Sequence, residues 1–69
     1  MQTAEILNSL REKNNLTQDQ MADRVMVSRQ AVSRWETGET QPNIDTLKIL
    51  SKVFDVSINT LLGSPRQLI

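Results

Sequence analysis

Apolar residues return every three or four positions along most of this chain, so its pattern is helical from end to end. From about Thr3 to Lys13, Ala4, Ile6, Leu7 and Leu10 alternate with Glu5, Asn8, Ser9 and Glu12, which predicts an amphipathic first helix. Asn14-Asn15 breaks it. Arg11 lies four residues beyond Leu7, so its stem belongs at the edge of the apolar stripe, although a solvated arginine fits the spacing equally well.

A strong helix start follows at Leu16-Thr17-Gln18-Asp19-Gln20-Met21. Thr17 as N-cap and Gln20 at the third helical position make a capping box, and Leu16 with Met21 makes the matching hydrophobic staple. This second helix is short, ending near Val25, with Met21, Ala22 and Val25 inward. Only Met26 and Val27 separate it from the next cap, Ser28, which has its own staple in Val27 and Val32. So brief a connection leaves too little chain to reverse over, and the two helices must cross steeply.

The third helix, from Ser28 to Thr37, is the stretch around which the rest is organised. With successive side chains about 100° apart, Arg29, Gln30, Ser33, Arg34 and Thr37 share one side, and Ala31, Val32 and Trp35 share the other. The polar side carries two cations and no acid, a surface suited to something polar and negatively charged; an ordinary amphipathic surface helix with two solvated arginines is the plainer reading. Gly38 ends the helix where a left-handed residue is needed. Glu39-Thr40-Gln41-Pro42 is a loop. Asn43 caps a fourth helix with Ile44, Leu47, Leu50, Val53 and Phe54 on or near its core side. Ser57 caps a short fifth helix, stapled by Val56 and Leu61 and stopped by Gly63-Ser64-Pro65.

Composition narrows the chemistry. The chain has 69 residues, enough for one small domain, read as 1–63, with 64–69 as a C-terminal tail that is either frayed or the start of a continuation. It has no Cys and no His, which removes disulfides, thiolate and imidazole metal ligands, and the usual nucleophile and general base. No catalytic residue, metal or cofactor is expected, nor a small-molecule ligand. Asp19 and Asp23 stand one helical turn apart on an outer face and read as solvated. No apolar run is long enough for a membrane span, and the start Met-Gln-Thr-Ala-Glu lacks the pattern of a signal peptide, so a cytoplasmic location is expected. The net charge is zero, which argues against bulk attraction to nucleic acid and leaves room for a local basic surface: between Arg24 and Arg34 there are three arginines and no acid.

Leu16-Thr17-Gln18, Met21-Ala22, Val27-Ser28, Val32-Ser33-x-Trp35-Glu36-x-Gly38, Pro42 and Val56-Ser57 together resemble the helix-turn-helix family of phage repressors, Cro proteins and xenobiotic-response-element (XRE) type bacterial regulators. The resemblance covers roughly residues 3 to 62. It implies an all-α, five-helix bundle whose second and third helices bind DNA, in proteins that usually act as homodimers on palindromic operators in the bacterial cytoplasm.

Carried onto this sequence, the resemblance puts Gln18 on a DNA phosphate at the start of helix two, where free N–H groups and a partial positive charge are available. Arg29, Gln30, Ser33 and Arg34 take the positions that meet base edges and phosphates, with Ser28 and Thr37 at the ends of the same face. Arg34 and Gln30 are favoured as base readers, since arginine can pair bidentately with guanine and glutamine with adenine; for Arg29, base and phosphate both stay open. Thr40 and Gln41 fall in the loop the family uses for phosphate contacts, or are plain solvated loop. Arg11 and Glu36 match a structural ion pair between helices one and three.

Two departures stand out: the family commonly has glycine or asparagine where this chain has Met26, so strain or a re-shaped turn is expected there, and Glu39 occupies a loop that is often basic. The functional expectation is a sequence-specific DNA-binding regulator, a repressor by preference, with weak non-specific affinity and no enzymatic activity. Its dimer surface is sought in Ile58, Leu61, Leu62, Leu68 and Ile69, with core the stronger alternative for Ile58 and Leu61. The rival reading is a protein-interaction module on the same fold, such as an antitoxin or antirepressor.

Overall fold

Five helices account for most of the chain in the computed structural model, which describes residues 2–63: α1 (Gln2–Lys13), α2 (Gln18–Val25), α3 (Arg29–Thr37), α4 (Ile44–Phe54) and α5 (Ile58–Leu62). There is no strand among the described residues. The expected tail, with Leu68 and Ile69, lies outside them.

Each boundary has a local cause. Thr17, Ser28, Asn43 and Ser57 all sit in extended backbone and accept a hydrogen bond from the N–H three residues on. At Thr17 the capping box is complete: the Gln20 N–H donates to Thr17 Oγ1 at 3.1 Å, and the Thr17 N–H donates to Gln20 Oε1 at 2.9 Å. The helices end on left-handed residues, Asn15, Met26, Gly38, Asp55 and Gly63, of which only two are glycine.

The helices pack as a closed ring: α1 lies on α3 and α5, α2 on α3 and α4, and α4 on α5. The ring encloses Leu7, Met21, Ala22, Val25, Val32, Trp35, Leu47, Leu50 and Leu61, and Ile6, Leu10, Val27, Ala31, Phe54, Val56 and Ile58 pack around it. Leu16 is buried as its staple with Met21 requires.

One expectation fails here, and one open alternative is decided. Ile44, read as core, is 57% exposed. It is the first residue of α4 and stands roughly 90° of helix rotation from the centre of the Leu47–Leu50–Phe54 stripe, so the packing face turns past it. Leu61, offered for a dimer surface, is fully buried, as the core alternative had it; Leu62 beside it stays 41% exposed.

Candidate nucleic-acid interface

The junction between α2 and α3 determines how the polar side of α3 is presented. Met26 adopts φ 63° and ψ 45°, the left-handed conformation a glycine would take more easily. Its N–H donates to the Asp23 carbonyl at 3.4 Å and the Val27 N–H donates to the Ala22 carbonyl at 3.0 Å, the paired bonds of a Schellman ending, and Val27 then packs inward. The turn therefore keeps its shape with methionine in it, and the strain sits in one backbone residue. Two residues later Ser28 Oγ accepts the Ala31 N–H at 3.1 Å and α3 begins.

Val32 and Trp35 are buried and pin α3 to the core, with Ala31 half-buried beside them. Arg29, Gln30, Arg34 and Thr37 are exposed on the other side, and Ser33 is half-buried between them. Gln30 and Arg34 make no side-chain hydrogen bond or ion pair among the described residues, so their donors are available outward. Thr37 Oγ1 donates to the carbonyl of Arg34 at 3.1 Å, closing the helix upon itself. The exposed Thr40 and Gln41 follow in the loop.

Glu36, at the inner edge of α3, is a hub. Its Oε2 accepts Arg11 Nε at 2.7 Å, and its Oε1 accepts Arg11 Nη2 at 3.1 Å, Asn8 Nδ2 at 3.0 Å and Gln18 Nε2 at 3.1 Å. The Glu36 side chain is 7% exposed and that of Arg11 16%. Burial alone would push the Glu36 carboxyl up, but the hydrogen bonds from Arg11, Asn8 and Gln18 outweigh it and hold the group below the usual carboxylate range. The hydrogen bond to Glu36 in turn raises the Arg11 guanidinium above its ordinary value, and Arg11 Nη1 also donates to the Leu16 carbonyl at 2.9 Å. One charge pair thus ties α1, the loop before α2, the start of α2 and the end of α3.

Comparison with known proteins agrees with this arrangement: a profile of helix-turn-helix domains matches residues 7–61. The chain belongs to the helix-turn-helix family. It is 48% identical over 63 residues to the HTH-type transcriptional activator BcrR of Enterococcus faecalis, covering 91% of this chain and 31% of that protein. The fold superposes on a transcriptional regulator from Listeria innocua with a TM-score of 0.88 at 32% identity, over 99% of this chain and 64% of that one. It also superposes on the P22 c2 repressor in complex with a synthetic operator, with a TM-score of 0.83 at 34% identity, over 88% of this chain and 92% of that one. The chain spans about a third of BcrR and about half of further curated relatives from Bacillus subtilis, 51% in two of them.

Within this helix-turn-helix domain, the expected ion pair Arg11–Glu36 is present, and it reaches further than the two residues. Asn8 and Gln18 also hold Glu36, contacts the sequence expectation lacks. Asn8 could have been found, because it stands three residues before Arg11 and so on the same face of α1. Gln18 could not, because nothing local brings the start of α2 to the end of α3. The polar side of α3, free of acids along its own sequence, is not free of them in the fold: Asp19 Oδ1 of α2 lies 3.5 Å from Arg29 Nε. Asp19, expected to be solvated, is 77% exposed and also pairs with Arg29.

Proposed function

We propose that this chain binds double-stranded DNA sequence-specifically and regulates transcription, as a repressor, by laying α3 in the major groove of a palindromic operator. The observation that carries this reading is the outward side of α3, where Gln30 and Arg34 stand exposed and unpaired among the described residues while Val32 and Trp35 fix the helix from behind. It is supported by the match to a repressor solved on its operator. Gln30 and Arg34 read base edges; Gln18, Ser28, Thr37, Thr40 and Gln41 serve the backbone or its approach, and Ser33 lies between. A nine-residue helix covers only a half-site, so the protein acts as a homodimer with its two recognition helices about 34–36 Å apart. It works by occupancy, without catalysis, cofactor or small-molecule ligand, in the bacterial cytoplasm.

The test is selection from a pool of random duplexes at low salt. Recovery of a palindrome is the expected result. No enrichment of any sequence overturns the proposal and turns the reading to a protein-interaction module on the same fold.

A further inference from the structure

We infer that Asp19 is a specificity-determining residue that holds Arg29 as a reader of a base rather than of a phosphate, an inference resting on the DNA-binding role proposed above. Asp19 is the second residue of α2 and Arg29 the first of α3, and the packing of α2 on α3 puts Asp19 Oδ1 3.5 Å from Arg29 Nε. Both ends of the pair are fixed by short-range structure. The capping box at Thr17 holds the start of α2, and the left-handed Met26 with the Ser28 cap holds the start of α3.

Arg29 occupies a position where the helix dipole disfavours a cation, and α3 has no acid in its first turn to compensate. The carboxylate of Asp19 supplies that negative charge from the neighbouring helix. It meets the guanidinium at Nε, and neither Nη1 nor Nη2 makes a hydrogen bond among the described residues. The edge they form carries two parallel N–H donors, the fork that fits O6 and N7 of guanine in the major groove. The same carboxylate repels a phosphate approaching Arg29 from the α2 side, and the repulsion grows as water is excluded. Arg29 and Asp19 are 59% and 77% exposed, so the pair is open to solvent and needed by no part of the core. It withholds one of the two arginines on the reading side from unspecific attraction, in a chain whose net charge is zero.

The experiment compares random-duplex selection for the unaltered chain, Arg29→Ala, Asp19→Asn and Asp19→Glu, with binding to a random duplex measured across a salt series. Arg29→Ala removes the preference at one base position of each half-site, a loss of about 5-fold to 100-fold in discrimination. Asp19→Asn weakens preference at that same position by about two- to fivefold and tightens binding to random duplex, with a steeper salt dependence. Asp19→Glu restores the preference. The inference is overturned if Asp19→Asn leaves the base preference intact and strengthens binding to every sequence equally, or if Arg29→Ala weakens all sequences alike. A palindrome recovered by the unaltered chain with either of those results sinks this inference alone, whereas no palindrome at all sinks the DNA-binding reading with it.

Discussion

Met26 holds a left-handed backbone with its side chain 77% exposed, so it bears the strain of that conformation and gains no burial in return. A left-handed residue with a Cβ is disfavoured by about 1–2 kcal/mol, while glycine loses about 0.5–1 kcal/mol of extra chain entropy on folding. Met26→Gly is therefore expected to stabilise the domain by about 1 kcal/mol, read as a rise in melting temperature of ~4–8 °C. A fall in melting temperature would show that the exposed methionine makes a contact the backbone argument omits. Glu36 carries the opposite lesson, because its strain is electrostatic and is relieved by four donated hydrogen bonds. Its folded-state pKa lies below the unfolded value, so the stability it contributes is complete above about pH 4.3 and is lost as the pH falls through the folded value. Urea midpoints measured between neutral pH and about pH 3 should fall less steeply for Glu36→Gln than for the unaltered chain, with the variant already ~3 kcal/mol less stable at pH 7.

At the scale of elements, caps decide where the helices start, and the α2–α3 crossing decides what they present. Thr17→Ala removes one half of the capping box and leaves the Gln20 N–H without its partner, an expected loss of about 1 kcal/mol by thermal or urea unfolding. The cap also bears on the interface, since Gln18 is the first residue of α2. Gln18 Nε2 is committed to Glu36, so this side chain is positioned by the end of α3 even though it belongs to the start of α2. Gln18→Ala should weaken binding to all sequences about equally, because a phosphate contact carries no base information. Arg34→Ala should relax preference at one base position, because its guanidinium is exposed and has no partner among the described residues. Affinity measured on the selected palindrome and on single-base variants separates the two. Changes in affinity without a change in preference for both variants would refute this division of labour.

For the whole molecule, zero net charge predicts that long-range attraction to DNA is weak and that discrimination rests on direct contacts. The ring of five helices leaves α3 with one buried and one open side, and on the proposed function a single open side of this length would read half an operator. Sedimentation over a concentration series, with and without the selected duplex, should show two chains per palindrome. A strict monomer in the presence of operator would remove the dimer from the account. Leu62, rather than Leu61, is the α5 residue left to serve such a contact, since Leu61 fills the core.

The local features were legible in the sequence because their causes lie within one helix and the residues that flank it. Caps at Thr17, Ser28, Asn43 and Ser57, their staples, the glycine stop at Gly38 and the two sides of α3 all follow from hydrogen bonds and side-chain spacing within a turn or two. Tertiary packing alone decided what distant segments do to one another. The crossing of α2 and α3 put Asp19 against Arg29, the docking of α1 on α3 gathered Asn8, Arg11 and Gln18 around one carboxylate, and the rotation of α4 left Ile44 outside. A helical period says which side of each cylinder is apolar; the angle at which two cylinders meet depends on how their side chains interlock, and that angle determines which charges become neighbours.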